Sequence, residues 1–172
     1  MTTKRLVTNA MLIAAYFVFT LLTIDVVAVK VTFASLPVLI AALLFGPVDG
    51  LIVGLLGSFL DQMLKWGFTA TTLLWILPAG VRGLMVGLYA WRKGNRMTQR
   101  QTIGIVSVSA LVVTTLNTLV WYIDSLVYHY PYVFAVWGTF ARYIVGILTA
   151  LVFALILPKL LIVLRKAVSA RK

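Results

Sequence analysis

Long apolar stretches in this chain are broken by three short clusters of positive charge, and few folds accommodate that arrangement. Eleven of the fifteen Lys and Arg residues fall in them: Lys4 and Arg5 near the start, Arg92, Lys93, Arg96 and Arg100 in the polar stretch RKGNRMTQR, and Lys159, Arg165, Lys166, Arg171 and Lys172 at the end. Lys and Arg that flank membrane helices stay on the cytoplasmic side. Both termini and the central loop therefore share the cytoplasm, and an even number of crossings separates each pair of clusters. The net charge of +11 accompanies 62% hydrophobic and 11% charged residues, far from the roughly 45–50% apolar and about 25% charged of soluble domains. With nearly everything between the clusters apolar, the basic balance orients the chain in a lipid bilayer and points away from nucleic acid as a partner.

The apolar runs supply the crossings. Leu6–Ile24 is long enough to span, since a crossing takes about 20 residues, and without a small-residue cleavage signature before Asp25 it is expected to be a retained helix. A polar-punctuated stretch, Asp25 to Thr32, follows. Phe33–Phe45 and Leu51–Leu64 flank Gly46-Pro47-Val48-Asp49-Gly50, a turn signal that predicts two short helices joined at the cytoplasmic face. Leu73–Trp91 is the fourth span, Ile103–Tyr122 the fifth and Trp137–Leu157 the sixth, with Ile123–Val136 as the last outer loop. The expectation is an all-α, polytopic membrane protein of six transmembrane helices with both termini cytoplasmic, in which residues 1–172 form a single integral-membrane domain. Small residues recur at four-residue spacing in Ala10/Ala14, Gly50/Gly54 and Gly83/Gly87, which lets helix backbones approach closely in lipid.

Composition excludes much chemistry. There is no Cys, one His, and four acidic residues, all Asp, so neither a thiolate nor a multi-ligand metal site is expected. No Ser/His/Asp pattern, paired acids, HExxH or GxxxxGK[ST] phosphate loop occurs. The chain is not expected to be an enzyme or to hold an intrinsic cofactor, and any ATP driving transport is used by partner subunits.

Candidate functional residues stand where charge and aromaticity depart from this background. A charge at the centre of a membrane helix costs at least about 2.5–3.5 kcal/mol, so it faces the bundle or a cavity. Arg82 lies half-way along the fourth span, with Asp61 a candidate partner across the helix pair, and Arg142 lies in the sixth. Two readings stand for these arginines: contact with an anionic or carbonyl-rich ligand, or a structural Arg–Asp pair or snorkelling. Trp66, Phe68, Trp75, Trp121, Tyr128 and other rings cluster around the second and third outer loops with Thr72, Asn117, Asp124 and His129. Interfacial belts account for part of that cluster, and the remainder could stack a ligand.

Taken together these residues resemble a known family, the substrate-binding S components of energy-coupling factor (ECF) vitamin transporters, in a folate-carrier-like branch. The resemblance covers most of the chain. It rests on the six-span topology, on Ala10-x-x-x-Ala14 in the first helix, on the hairpin TFASLPVLIAALLFGPVDGLIVGLLGSFLDQ and on GFTATTLLWILPAGVRGLMVGLY. It implies a cell-membrane subunit that captures a water-soluble vitamin and delivers it inward, with a transmembrane coupling subunit and two ATPase subunits as partners. It further implies that Ala10 and Ala14 dock on the coupling subunit and that the substrate pocket draws on Lys30, Lys65, Trp66, Phe68, Thr72 and Trp75, then Asn117, Trp121, Asp124, Tyr128, His129 and Arg142. The family's folate pattern has two prolines where this chain reads Lys65-Trp66-Gly67-Phe68-Thr69. That departure, with an aromatic and weakly charged outer surface, favours cobalamin over folate or pyridoxine. A stand-alone proton-coupled carrier using Asp61 and a non-catalytic assembly or channel subunit are the competing expectations.

Overall fold

The computed structural model describes residues 3–22, 24–26, 29–31, 33–94, 97–129 and 131–169; the side chains of 24–26, 29–31, 132–135 and 163–169 lie outside that description. Six helices follow in the expected order: α1 (Thr3–Leu21), α2 (Ser35–Leu44), α3 (Pro47–Trp66), α4 (Thr72–Arg92), α5 (Gln99–Val127) and α6 (Tyr132–Ser169). All but α2 are long and apolar enough to cross a membrane. With ten residues, α2 extends only about 15 Å at 1.5 Å per residue, half of a hydrocarbon core of about 30 Å. Between α1 and α2 the chain forms an antiparallel ribbon, β1 (Ile24–Val26) and β2 (Val29–Val31), in which Asp25 and Lys30 occupy opposed register positions. Irregular or extended backbone survives near a membrane only where protein covers it, and β2 packs against α6.

Local chemistry explains most of the boundaries. The α2–α3 reversal is tighter than the five-residue turn expected: Gly46 alone takes a positive φ of 110°, and Pro47 already occupies the first turn of α3. Proline fits there because its missing N–H would have no helical partner. Asp49 therefore lies inside α3, where the positive end of the helix dipole favours a carboxylate. A reciprocal Thr98/Gln101 capping box starts α5, the Gln101 amide donating to Thr98 Oγ1 at 3.3 Å and the Thr98 amide donating to Gln101 Oε1 at 3.0 Å. Helical structure reaches Val127 and resumes at Tyr132, so the last outer loop is far shorter than Ile123–Val136. The aromatic residues that suggested a loop are tolerated at interfacial helix ends, and the chain reverses at His129, with φ 54°, just before Pro131.

The bundle is built around α3 and α4. Gly50 faces Gly83, Gly54 faces Ala79, and Gly87 faces Pro47, so the two backbones touch along three turns with no side chain between them. A methyl group on Gly50 would lie 2.7 Å from both the Gly83 carbonyl oxygen and Ala42 Cβ. The four-residue glycine spacing is thus packing chemistry. Around this seam, Leu39, Leu43, Val86, Ala90, Val106, Phe153 and Leu157 form one buried cluster joining α2, α4, α5 and α6. Tyr16, Val38, Ala41 and Val53 join α1 to α2 and α3.

At the same end of the bundle as the α2–α3 turn, Arg5 donates from Nε to Asp49 Oδ1 at 3.0 Å and also reaches Asp49 Oδ2 and the Phe45 carbonyl. Asn9 Nδ2 donates to Asp49 Oδ1 at 2.7 Å. Arg5, an orientation charge in the sequence, therefore also fastens α1 to α3. Outside the bundle, large apolar side chains face outward, as Leu155 does at 74% exposure, which is expected of a lipid-facing surface.

The seam predicts unequal effects of glycine replacement. Gly83→Ala meets the Gly50 backbone, whereas Gly104→Ala on α5 enters open space. Thermal unfolding in one detergent should show the first destabilised by about 1–3 kcal/mol and the second unchanged or stabilised by up to about 1 kcal/mol; equal effects would remove the seam from its central place.

Candidate functional site

Two adjoining groups of side chains lie toward the end of the bundle opposite Arg5, and Trp75 belongs to both. The first encloses a cavity of about 150 Å³ walled by Tyr16 of α1, Ser35 and Val38 of α2, Ser58 of α3, Trp75, Pro78 and Arg82 of α4, and Val113 and Asn117 of α5. Trp75 lies in the first turn of α4 and Arg82 seven residues further in, about 10 Å deeper along the axis. The cavity thus runs from near one membrane face toward the bilayer centre.

Arg82 is buried at 6% exposure, and its Nε has no hydrogen-bond partner among the described residues. The candidate Arg82–Asp61 pair, one of the two readings, does not form. Asp61 instead takes the local i,i+4 partner, Lys65, at 2.7 Å, while Lys65 Nζ also donates to the Thr20 carbonyl at 3.3 Å. Lys65 thereby ties the outer ends of α1 and α3 and is not part of the cavity lining. A four-residue step on one helix beats a partner on another helix because both side chains already project from the same face.

The second group is ionic and aromatic. The Arg142 guanidinium stacks over Trp75 at 5.2 Å and over Trp121 at 4.8 Å from the ring centroids. Cation–π contacts of this kind contribute about 0.5–2 kcal/mol each, more when desolvated. Asp124, 7% exposed, accepts from Thr71 Oγ1 at 2.5 Å and from Trp75 Nε1 at 3.4 Å. Gly138 makes room for the Trp121 indole, because a Cβ there would lie 3.0 Å from its Nε1. Arg142 of α6 is thus held against α4 and α5.

Of the residues expected at the site, Trp75, Asn117 and Arg82 line the cavity, and Trp121, Asp124 and Arg142 adjoin it through Trp75. Others are not brought in. Trp66 and Phe68 are 72% and 70% exposed. Thr72 is buried as the first residue of α4, its Oγ1 accepting from the Thr69 amide at 2.8 Å. Tyr128 caps α5 through its backbone amide, and His129 is exposed in the α5–α6 turn. The side chain of Lys30 lies outside the described residues. Ala10 and Ala14 share the exposed side of α1. Tyr16, Ser35, Ser58 and Thr71 were missed as site residues. Tyr16 and Ser58 are hydroxyls within otherwise apolar helices, which is the signal that could have found them.

Comparisons with known proteins agree in kind. The model of the family described as ECF transporter, substrate-specific component, matches residues 4–162. A UPF0397 protein of Lactobacillus johnsonii is 34% identical over 98 residues, 52% of this chain and 50% of that protein. A UPF0397 protein of Vibrio atlanticus is 36% identical over 59 residues, 34% of this chain and 31% of that one. The chain spans about half the length of the curated relatives it matches. Among solved structures, the S component of a bacterial ECF transporter superposes with a TM-score of 0.67 at 25% identity, covering 95% of this chain and 99% of that one. FolT bound with folic acid gives 0.65 at 25% identity, covering 90% and 91%.

The stack is testable without a ligand. A double-mutant cycle of Trp121→Leu and Arg142→Met, read by thermal unfolding, should give a coupling energy of about 1–2 kcal/mol, whereas simple additivity would show the rings and the guanidinium to act independently.

Proposed function

The chain belongs to the family of ECF transporter substrate-specific components, and from that membership we propose that it captures a small water-soluble vitamin at the outer face of the membrane. It hands the vitamin inward in an assembly with a transmembrane coupling subunit and two ATPase subunits, which hydrolyse the ATP. The observation that carries this reading is the cavity between α1, α2, α3, α4 and α5, which combines apolar and aromatic walls with a few inward polar groups, the usual composition of a small-molecule site.

Neither the lining of the cavity nor the exposed Trp66 and Phe68 favours cobalamin over other water-soluble vitamins. The folic acid bound by FolT brings folates within the range of compounds to test. A proton-coupled carrier would need a carboxylate that changes protonation at mid-depth. Asp61 is engaged by Lys65 near the outer end of α3, and Asp124 by Thr71 and Trp75.

Mass spectrometry of the small molecule retained on detergent-purified protein tests the reading directly. One vitamin bound near stoichiometrically is expected; no retained molecule, together with no binding in titrations across the water-soluble vitamins, would overturn it. Docking is tested separately with Ala10→Leu combined with Ala14→Leu. In cells carrying the coupling and ATPase subunits, uptake should fall at least about tenfold while ligand affinity stays within about twofold, because close backbone approach requires small residues on the exposed face of α1.

A further inference from the structure

Resting on the reading of this cavity as the substrate site, we propose that α4 recognises its ligand through one donor and one acceptor. Arg82 supplies the donor, and the backbone carbonyl of Leu74, released by Pro78, supplies the acceptor. The matching ligand carries a ring N–H beside a ring C=O, the edge of a lactam or cyclic urea. The acceptor follows from covalent structure. Pro78 lies inside α4, is buried, and lines the cavity. Proline has no N–H and its ring crowds the carbonyl four residues back, so the Leu74 carbonyl loses its helical donor. A helical carbonyl points along the axis toward the residue four ahead, which here is the proline on the cavity wall. Membrane helices keep such a released carbonyl where a side chain or another polar group can answer it.

The donor lies one turn further along the same helix face. Arg82 lines the cavity, is buried, and leaves Nε without a partner among the described residues. Residues four apart share one side of a helix, and helical side chains lean toward the N-terminus of their own helix. The Arg82 guanidinium is therefore carried back toward the turn that Pro78 interrupts. Donor and acceptor meet at one level of the cavity wall.

The next carbonyl shows that this turn is open to donors from outside the helix. Ser58 Oγ, on α3, donates to the Trp75 carbonyl at 3.5 Å, and both residues line the cavity. The pair then selects among ligands. A carboxylate would answer Arg82 but set oxygen against the Leu74 carbonyl, two acceptors with no proton between them. An amine would answer the carbonyl and leave Nε without an acceptor. Either leaves a buried polar group unpaired, which is the costly outcome. A ring N–H beside a ring C=O answers both. An open-chain secondary amide does not, because its trans geometry points N–H and C=O in opposite directions.

The test uses the full chain in lipid nanodiscs, with calorimetric affinities for the water-soluble vitamins. Riboflavin, folic acid and biotin carry this ring edge, and one of them should be the tight binder. Pro78→Val keeps an apolar wall but restores the N–H that bonds the Leu74 carbonyl. It should weaken that vitamin at least about tenfold, as should Arg82→Met, which removes the donor. Methylating the ligand at each ring N–H beside the carbonyl removes the ligand's own donor. The affinity lost to methylation should shrink at least about fivefold in Pro78→Val, because the bond is already gone there. Should Arg82→Met fail to fold, the Pro78→Val cycle decides alone. Unchanged or higher affinity in either folded variant overturns the proposal, as does an equal methylation loss with Pro78 or Val at that position. Binding confined to thiamine, pyridoxine, nicotinate, pantothenate or cyanocobalamin also overturns it, yet leaves vitamin capture standing. Binding of no vitamin by folded protein overturns both.

Discussion

Close backbone contact between α3 and α4 is the constraint on which the rest of the bundle depends. Gly50, Gly54, Gly83 and Gly87 remove the side chains that would hold the two helices apart. Lipid supplies no hydrophobic drive for helices to associate, so van der Waals contact over a long, close interface must do so. Once that pair is set, Ser58 and the Trp75–Arg82 face of α4 are held at a fixed spacing, and α1, α2 and α5 need only lean against them to enclose a cavity. The polar wall of the site is positioned by residues that have no polar groups themselves.

Charge is handled differently at the two ends. At the end bearing the basic clusters, Arg5 and Asn9 converge on Asp49, which is buried at 1% exposure. Removing one partner of such a group leaves a desolvated carboxylate, a costlier state than either its absence or its pairing. At the opposite end, Arg142 lies between two indoles, one of which donates to Asp124. Each of these cations has a counterpart within the chain. Against that pattern, the buried Arg82 guanidinium keeps an Nε with no hydrogen-bond partner among the described residues, on the wall of the cavity.

The order of the helices was legible from the spacing of charge clusters, because the rule behind it depends only on sequence position and lipid. The glycine seam was legible for the same reason, as a period of four matches one helical face. Element ends were less so. Tyr and Trp at the outer ends of α5 and α6 mark the interface whether the backbone is helical or not, so Ile123–Val127 was read as loop. The start of α2 was read two residues early because Phe33 and Ala34 are as apolar as the helix they precede. Trp75, Asn117 and Arg82 were recognisable as polar or aromatic residues inside spans. Trp66 and Phe68 have the same chemistry, and only the rotation of their backbone decides that they face outward. Pairings such as Thr71 with Asp124 depend on α4 and α5 meeting, which no local pattern encodes.

The length of α6 has a mechanical consequence. Its 38 residues make a rod of about 57 Å, nearly twice the hydrocarbon thickness. Arg142 holds it between α4 and α5, and Phe153, Leu157 and Leu161 bury its next turns in the bundle core, leaving the stretch to Ser169 as its free end. A tilt of about ten degrees about Arg142 would sweep Ser169, about 40 Å away, through roughly 7 Å. A small rearrangement around the Trp75–Trp121 clamp thereby becomes a larger displacement at the far end of α6.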